Sequence, residues 1–110
     1  MNATTPLTYD ILLALADSAR HGYGIIKEIE ARTGPGTAPS TGSLYLAIQR
    51  MESDGLIREA PEAGAASADR RRRYYEITVR GREVAEAESR RLVALVAAAR
   101  EKDLLAKGPA

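Results

Sequence analysis

The sequence has no cysteine, no phenylalanine and no tryptophan. The missing cysteine excludes disulfides, thiolate nucleophiles and Cys-based metal sites, and it fits a reducing compartment. With five tyrosines as the aromatic residues, a core must rest on Leu, Ile, Val and Ala, a composition that suits helices. No signal-peptide pattern opens the chain, and the apolar stretches Ile11–Ala16 and Leu92–Ala99 are too short to span a membrane. We therefore expect a cytoplasmic protein.

The sequence also offers little with which to build a catalytic centre. His21 is the single histidine, and no nucleophile–base pair, metal cluster or phosphate loop can be assembled from the rest of the chain. We expect no enzyme activity, no metal and no cofactor, and we expect His21 to cap a helix or pack at its start. A length of 110 residues indicates one domain with one modest core.

Charge is informative through its distribution rather than its total. The formal net charge is +1, which by itself does not indicate a nucleic-acid partner. Between Asp69 and Arg80, however, five arginines stand against two acidic residues, a local net charge of +3. A patch of this kind can bind phosphate while the rest of the molecule stays near neutral.

Apolar spacing predicts three helices in the first half of the chain. The first begins at Pro6, capped by Thr5, and ends near Ser18. The second covers about Tyr23–Arg32 and is stopped by a Gly- and Pro-containing turn. The third begins near Ser40 and ends at Asp54-Gly55, with a buried stripe formed by Leu44, Ala47, Ile48 and Met51.

The second half predicts two strands and a long helix. The strands are Leu56–Glu59 and Arg72–Val79, and the Ala-, Gly- and Ser-rich stretch Pro61–Arg71 reads as a flexible hairpin tip. Thr78 or a neighbour caps a last helix over about Arg80–Lys107. The fold class is thus mainly α with a two-stranded β wing: a winged helix-turn-helix over residues 1–79, a dimerisation helix over 80–107 and a flexible tail over 108–110.

The last helix indicates a homodimer. It would be roughly 40 Å long at ~1.5 Å per residue, too long for a three-helix core to cover. A second copy of the same helix would shelter its apolar side, since most soluble oligomers are symmetric. The expected interface residues are Leu7, Ile11, Val84, Leu92, Leu95, Val96 and Ala99.

A helix-turn-helix is predicted by the second helix, the turn and the third helix with its small, polar outer face. Ser40, Thr41, Gly42 and Ser43 place backbone N–H groups where a phosphate can bind, although Ser and Thr also serve as plain caps. Leu46 projects opposite the core stripe and is either a contact to a thymine methyl or an ordinary exposed leucine.

Other candidate DNA contacts surround this face. The Tyr45 hydroxyl could reach a phosphate, or its ring could pack on the hairpin. Gln49 and Arg50 are either base or backbone contacts or solvated surface, and Tyr23 is a further candidate. The run Arg70, Arg71, Arg72 and Arg73 is the strongest electrostatic signal, because four adjacent arginines repel one another unless an anion relieves them; a solvated charge run is the alternative.

Three segments resemble the PadR family of bacterial transcriptional regulators: Ile11–Glu30, Ser40–Ile57 and Arg71–Glu83. They carry His21-Gly22-Tyr23, Gly42-Ser43-Leu44-Tyr45, Asp54-Gly55-Leu56-Ile57 and Tyr74-Tyr75 with Thr78 and Gly81. The resemblance implies a winged-helix dimer that is joined through its C-terminal helix, binds palindromic promoter DNA and represses transcription. It also implies that the helix from Ser40 enters the major groove and that the hairpin with Arg70–Arg73 contacts the flanking groove or backbone.

The single C-terminal helix resembles the short subfamily, some of whose members bind flat aromatic drugs between the subunits. Two departures bear on this expectation. Family members often carry Pro after the recognition-helix Tyr, where this chain has Leu46, so base preference should differ. Leu92 and Val96 occupy positions where an aromatic side chain could stack on a flat ligand. Their aliphatic side chains favour a wider aliphatic pocket over an aromatic sandwich as the site of a small hydrophobic or aromatic effector.

Two functions fit the sequence, and a third lacks the residues it would need. The first is a DNA-binding repressor that responds to a ligand, as the Arg run and the outer face of the third helix indicate. The second is a winged-helix protein-interaction module without DNA binding, which the low net charge keeps open. The third, a small hydrolase, would need a catalytic pair that the sequence does not provide.

Overall fold

The structure, a computed structural model, describes residues 4–65 and 72–106. The order of elements is α1 (Pro6–Leu15), β1 (Arg20–His21), α2 (Gly22–Thr33), α3 (Thr41–Ser53), β2 (Ile57–Glu59), α4 (Pro61–Ala65), β3 (Tyr74–Ile77) and α5 (Val79–Glu101). The mainly helical winged helix-turn-helix predicted from the sequence is confirmed, with a long last helix following the hairpin.

The helix starts follow the predicted capping residues. Thr5, Ser40 and Thr78 each accept a hydrogen bond from the backbone N–H three residues on, at 3.0–3.1 Å. At α2, Nδ1 of His21 accepts the Gly24 N–H at 3.0 Å. Each bond satisfies an N–H that has no partner within its own helix. The expectation that His21 caps or packs at a helix start is therefore confirmed in its capping form.

The sheet has one strand more than the sequence predicted. The hairpin pairs Ile57 with Ile77 and Glu59 with Tyr75, both strands being antiparallel. On the other side of β3, Arg20–His21 forms a third antiparallel strand, giving the order β1-β3-β2. Two residues are too few for an alternating pattern to reveal a strand. This short strand places His21, at the start of α2, beside the wing.

The core lies between α1, α2, α3 and the sheet. Its buried side chains are Ile11, Leu12, Ala14, Leu15, Ile25, Ile29, Leu44, Ile48, Met51, Leu56, Ile57 and Tyr75. The predicted stripe of α3 is thus buried, with Ala47 partly buried beside it. Ile11 requires a correction: it was expected at the dimer interface, but its side chain is 0% exposed within the subunit. It is a core residue and has no surface to offer a partner.

The ends of the elements differ from their predicted bounds. Helix α1 stops at Leu15 rather than near Ser18. Two arginines outside the helix donate hydrogen bonds to carbonyl groups at its C-terminal end. Arg20 Nε donates to the Ala14 carbonyl at 2.8 Å, and Arg82 Nη2 donates to the Ala16 carbonyl at 2.7 Å. Cations are favourable at a helix C-terminus. These contacts tie α1 to β1 and α5.

Helix α5 ends at Glu101, six residues before the predicted Lys107. Asp103 takes a left-handed backbone conformation with φ 61°. The Leu104 N–H donates to the Ala99 carbonyl at 2.8 Å and the Asp103 N–H to the Arg100 carbonyl at 3.2 Å, the pattern of a Schellman motif. The chain therefore turns out of the helix at an aspartate.

The hairpin tip is partly helical. Pro61–Ala65 forms the short helix α4, where the sequence predicted a flexible stretch from Pro61 to Arg71. The remainder of that stretch, including Arg70 and Arg71, lies outside the described residues, as does the predicted tail 108–110. No helix in the described ranges is long and apolar enough to cross a membrane.

Candidate nucleic-acid interface

The outer face of α3 is solvent-accessible along its whole length. Its exposed members are Ser40, Thr41, Gly42, Ser43, Tyr45, Leu46, Gln49 and Arg50, the residues that the sequence analysis assigned to DNA contact on this helix. Leu44, Ile48 and Met51 point the other way and are at most 1% exposed. The helix therefore presents one polar face while the opposite face anchors it in the core.

The start of α3 is capped within the chain. Ser40 Oγ accepts the Ser43 N–H and donates to Ser43 Oγ at 3.0 Å. The capping interpretation of Ser40 is thus observed. Capping and phosphate contact are compatible, because a helix start carries several N–H groups without partners in the helix and one cap satisfies only one of them.

Leu46 and Tyr45 are the large side chains on this face. Leu46 is 66% exposed, so it buries little within the subunit. Tyr45 is 43% exposed, and the hydroxyl end of its ring lies against the start of α2. A Cβ placed on Gly22 would lie 2.3 Å from the Tyr45 hydroxyl oxygen. Glycine at position 22 is therefore what allows α2 and α3 to approach this closely at the surface.

A cluster of rings and cations joins the start of α2 to the wing. The Tyr23 ring is 55% exposed. Lys27 Nζ lies 5.2 Å and Arg72 Cζ 5.8 Å from its centroid, both within cation–π distance. A hydrogen bond to Tyr23 is the main reason why the pKa of Lys27 lies above its usual value.

His21 forms the back of this cluster. Its ring makes an edge contact with Tyr74 of β3, with centroids 5.2 Å apart, and a stacked one with Tyr23 at 6.4 Å. Arg72 Nη1 is 2.9 Å from His21 Nε2. A neutral imidazole has one acceptor nitrogen, and Nδ1 already accepts the Gly24 N–H. The tautomer in which Nδ1 caps α2 and the tautomer in which Nε2 accepts a hydrogen bond from Arg72 therefore exclude each other.

Two arginines of the wing, Arg73 and Arg58, lie close to carboxylates. Arg73 Nε lies 4.0 Å from Glu59 Oε1 across the hairpin. Arg58 on β2 is paired with Glu76 on β3. Arg72 and Arg73 are both exposed, and surface pairs of this kind contribute little to stability and exchange readily for another anion. The wing therefore presents exposed guanidinium groups, of which that of Arg72 lies beside the Tyr23 ring.

Sequence reasoning missed Lys27. The spacing of four residues between Tyr23 and Lys27 places both on one face of a helix, and this was the available signal. The proximity of Arg72 could not be inferred, because it depends on the short pairing of β1 with β3.

The expected dimer face is only partly free in the single subunit. Leu7 and Val84 pack against the core, and Leu92 and Ala99 are half-buried. Leu95 is 52% and Val96 38% exposed. Tyr9 of α1 hydrogen-bonds to Ser89 of α5 at 2.8 Å, so α1 covers the first half of α5.

Further apolar side chains stand out on the second half of α5, beyond those expected. They are Val93, 69% exposed, and Leu104 and Leu105 just after the helix end, 78% and 45% exposed. A cleft of about 300 Å³ opens at the start of α5, lined by Ile77, Thr78, Val79, Arg82, Glu83 and Glu86. Leu92 and Val96, the expected effector contacts, are not among its lining residues.

Within the described parts of the chain, no group of three His, Asp or Glu side chains is placed to hold a metal ion. The geometry instead gathers polar, aromatic and cationic groups on one exposed side, contributed by α3, the start of α2 and the wing. Such a surface has the polar and cationic groups with which proteins contact a polyanion.

Comparison with solved structures identifies close fold relatives. A PadR family transcription regulator from hypervirulent Clostridium difficile superposes with a TM-score of 0.74 at 25% identity, covering 92% of this chain and 100% of that one. A PadR-like transcriptional regulator from Bacillus cereus gives 0.69 at 26% identity, covering 92% and 93%. Bacillus subtilis PadR, solved in complex with operator DNA, gives 0.62 at 17% identity, covering 76% and 46%, a likeness of fold.

Comparison of the sequence with known proteins identifies a relative and a family. A Streptomyces fradiae protein described as an uncharacterized 37.1 kDa protein in transposon TN4556 is 39% identical over 85 residues, which is 77% of this chain. The match spans 22% of that longer relative. The sequence model of the PadR-like transcriptional regulators matches residues 11–87, from the middle of α1 into α5. The chain therefore belongs to the PadR-like family of transcriptional regulators.

Proposed function

We propose that this protein regulates transcription by binding double-stranded DNA as a homodimer. The observation that carries the proposal is the continuity of one exposed surface. Tyr45 of α3 lies against Gly22, the adjacent Tyr23 lies beside Arg72, and Arg72 leads into the wing. A helix placed in a major groove along this surface would bring the wing to the neighbouring backbone.

Each part of the surface has a distinct role in this proposal. The α3 residues Ser43, Leu46, Gln49 and Arg50 face base edges, and Ser40, Thr41, Gly42 and Tyr45 face the phosphates beside them. Tyr23 and the wing arginines, with Arg70 and Arg71 included on sequence grounds, contact the flanking backbone or minor groove. Membership of the family supports this assignment, as does the operator complex of Bacillus subtilis PadR, which has the same fold.

The dimer is proposed to form through the second half of α5. Val93, Leu95 and Val96 are exposed there, and a second copy would bury them around a two-fold axis. Two recognition helices related by that axis would favour a palindromic operator. The action is proposed to be repression by occupancy of promoter DNA, in the cytoplasm, with release by a small hydrophobic or aromatic effector held near Leu92 and Val96.

A salt series of DNA binding tests the core of the proposal. The protein is titrated against the DNA directly upstream of its own gene and against a mixed-sequence duplex. Because bound arginines and lysines displace condensed counterions, affinity should fall steeply and linearly on logarithmic axes for both duplexes, with tighter binding to the upstream DNA. Substituting Arg72 and Arg73 by Ala should weaken binding to both duplexes and flatten the slope. Absent or salt-insensitive binding would leave the protein-interaction alternative in its place.

A further inference from the structure

Arg20 connects three parts of the fold through its side chain and its backbone. Its Nε donates to the carbonyl of Ala14, at the end of α1, at 2.8 Å. Its Nη2 lies 3.5 Å from Asp17 Oδ1, in the turn after α1, and 3.5 Å from Glu28 Oε1, in the second turn of α2. Its backbone pairs with Tyr75 of β3. The residue therefore joins α1, α2 and the sheet at one point.

The contact between Arg20 and Glu28 is partly sheltered from solvent. The two side chains are 26% and 28% exposed, whereas that of Asp17 is 70% exposed. Partly buried charge pairs are screened less by salt than surface pairs are, and the planar guanidinium can bond separate acceptors through different nitrogens. Because Nε and Nη2 point at groups of the same subunit, Arg20 acts on the geometry of the fold.

The strand that Arg20 anchors is very short. Strand β1 has two residues, which pair with Tyr74 and Tyr75 of β3, and each backbone hydrogen bond adds only modestly to stability. Strand β3 belongs to the wing, while β1 runs directly into α2, whose first residue, Gly22, lies against the hydroxyl of Tyr45 on α3. The position of β1 therefore sets the orientation of the wing relative to α2 and α3.

We propose that Arg20 is a positioning residue for DNA binding. By anchoring β1 to the end of α1 and to Glu28, it holds the wing and the helix-turn-helix in the relative orientation that one duplex requires. A surface that is held in its bound orientation loses less conformational freedom on binding and so binds more tightly. The inference rests on the proposed DNA binding and adds to it two residues that need not touch DNA.

The sign of one substitution tests the inference. Glu28→Ala and Glu28→Gln both remove an acidic charge, which by itself should strengthen binding to a polyanion. Loss of positioning should instead weaken binding to the upstream DNA and to a mixed-sequence duplex alike. We expect a loss of about tenfold for Glu28→Ala, and a smaller loss for Glu28→Gln, whose amide oxygen can still accept a hydrogen bond from Arg20.

Two controls on the same helix separate the contributions of charge. Glu30→Gln also removes an acidic charge, but Glu30 Oε1 lies 3.7 Å from Lys27 Nζ rather than beside Arg20, so affinity should be unchanged or higher. Arg32 Nη2 lies 3.3 Å from Glu28 Oε1 and is the other partner of that carboxylate. Arg32→Ala should therefore not reproduce the tenfold loss.

Arg20→Ala should weaken binding too, and it should add less in a Glu28→Ala background than it does alone, because the pair is already broken. Thermal unfolding checks that each variant is folded at the assay temperature, and Glu28→Gln, which keeps the shape of the side chain, serves if Glu28→Ala does not fold. A purely structural role would lower the unfolding temperature and leave the affinity of the folded protein unchanged.

Two results would overturn the inference and leave DNA binding intact. One is a pair of folded Glu28 variants that bind at least as tightly as wild type, and the other is full additivity of the Arg20 and Glu28 alanine substitutions. A wild type that shows no salt-dependent binding overturns the proposed function itself.

Discussion

The hydroxyl of Tyr45 fills the space that a side chain at position 22 would need. A methyl group on Gly22 would lie 2.3 Å from the hydroxyl oxygen and 2.8 Å from the ring carbon that bears it. Helix α3 is thus held next to the start of α2 by contact between an aromatic ring and bare backbone. The orientation of a proposed DNA-contacting side chain depends on a glycine that need not touch DNA.

Gly22→Ala should weaken DNA binding while leaving the fold in place. The new methyl group must displace the Tyr45 ring, which can swing outwards because it is 43% exposed. Losing one hydrogen bond to a phosphate predicts about a tenfold to hundredfold loss of affinity. Gly24→Ala is the control, because its Cβ would meet its nearest neighbour at an ordinary 3.5 Å. In a Tyr45→Ala background the Gly22 substitution should have no further effect, and additive losses would contradict the mechanism.

Leu46→Ala should change base preference more than overall affinity. Leu46 is 66% exposed, so its truncation costs the folded subunit little, but in a major groove it would lose contact with a thymine methyl. The loss of about one buried methyl group corresponds to about 0.8 kcal/mol, or roughly fourfold in preference at one base pair. Binding to a library of single-site operator variants measures this. Equal losses on every duplex would show that Leu46 reads no base.

The helical part of the fold was predictable because its signals are local. Thr5, Ser40 and Thr78 mark helix starts by side-chain chemistry, and the stripe of Leu44, Ile48 and Met51 marks the buried side of α3 by spacing alone. The exposed face of α3 follows from the same spacing. These features need no knowledge of any distant contact.

The junction of α2 with the wing was not predictable, because it is made by distant residues. The two-residue strand at Arg20–His21 pairs with Tyr74 and Tyr75 more than fifty positions later, and it is this pairing that brings Arg72 to Tyr23. The prediction that Ile11 lies at the dimer interface was wrong for a related reason. The periodicity of α1 gave an apolar stripe but could not divide it between the subunit's own core and a partner.

Leu95→Glu should convert the proposed dimer into a monomer. The residue is 52% exposed on the second half of α5, and a pair of carboxylates buried across a two-fold axis would be strongly unfavourable. Sedimentation velocity reports the change in mass. Leu46→Glu is the matched control: it replaces an equally apolar, exposed leucine on α3 and should leave the dimer intact while abolishing DNA binding. A Leu95→Glu protein that remains dimeric would move the interface elsewhere.

Gly81→Ala should destabilise the fold. A Cβ at this position would lie 2.0 Å from the carbonyl oxygen of Leu56, which is itself the acceptor for the Thr78 N–H at 3.1 Å. Backbone cannot swing aside as the Tyr45 ring can, so α5 must shift away from Leu56, at a cost of about 1–3 kcal/mol. Denaturant unfolding measures this. Gly42→Ala is the control, since a Cβ there meets nothing within 4 Å, and it should be neutral or slightly stabilising.

Asp10→Asn should raise stability at neutral pH and do so less as the solution is acidified. Burial against the fold raises the pKa of the Asp10 carboxyl above its usual 3.8, so the folded state disfavours the charged form. That penalty is fully present above the folded pKa and disappears as the pH falls below 3.8, where both states are protonated. The difference in unfolding free energy between wild type and Asp10→Asn should therefore shrink towards low pH. Asp17→Asn is the control: its side chain is 70% exposed, so this substitution should give no such gain in stability. If the stability difference between Asp10→Asn and wild type instead grew on acidification, the Asp10 carboxylate would have a stabilising partner in the assembled protein.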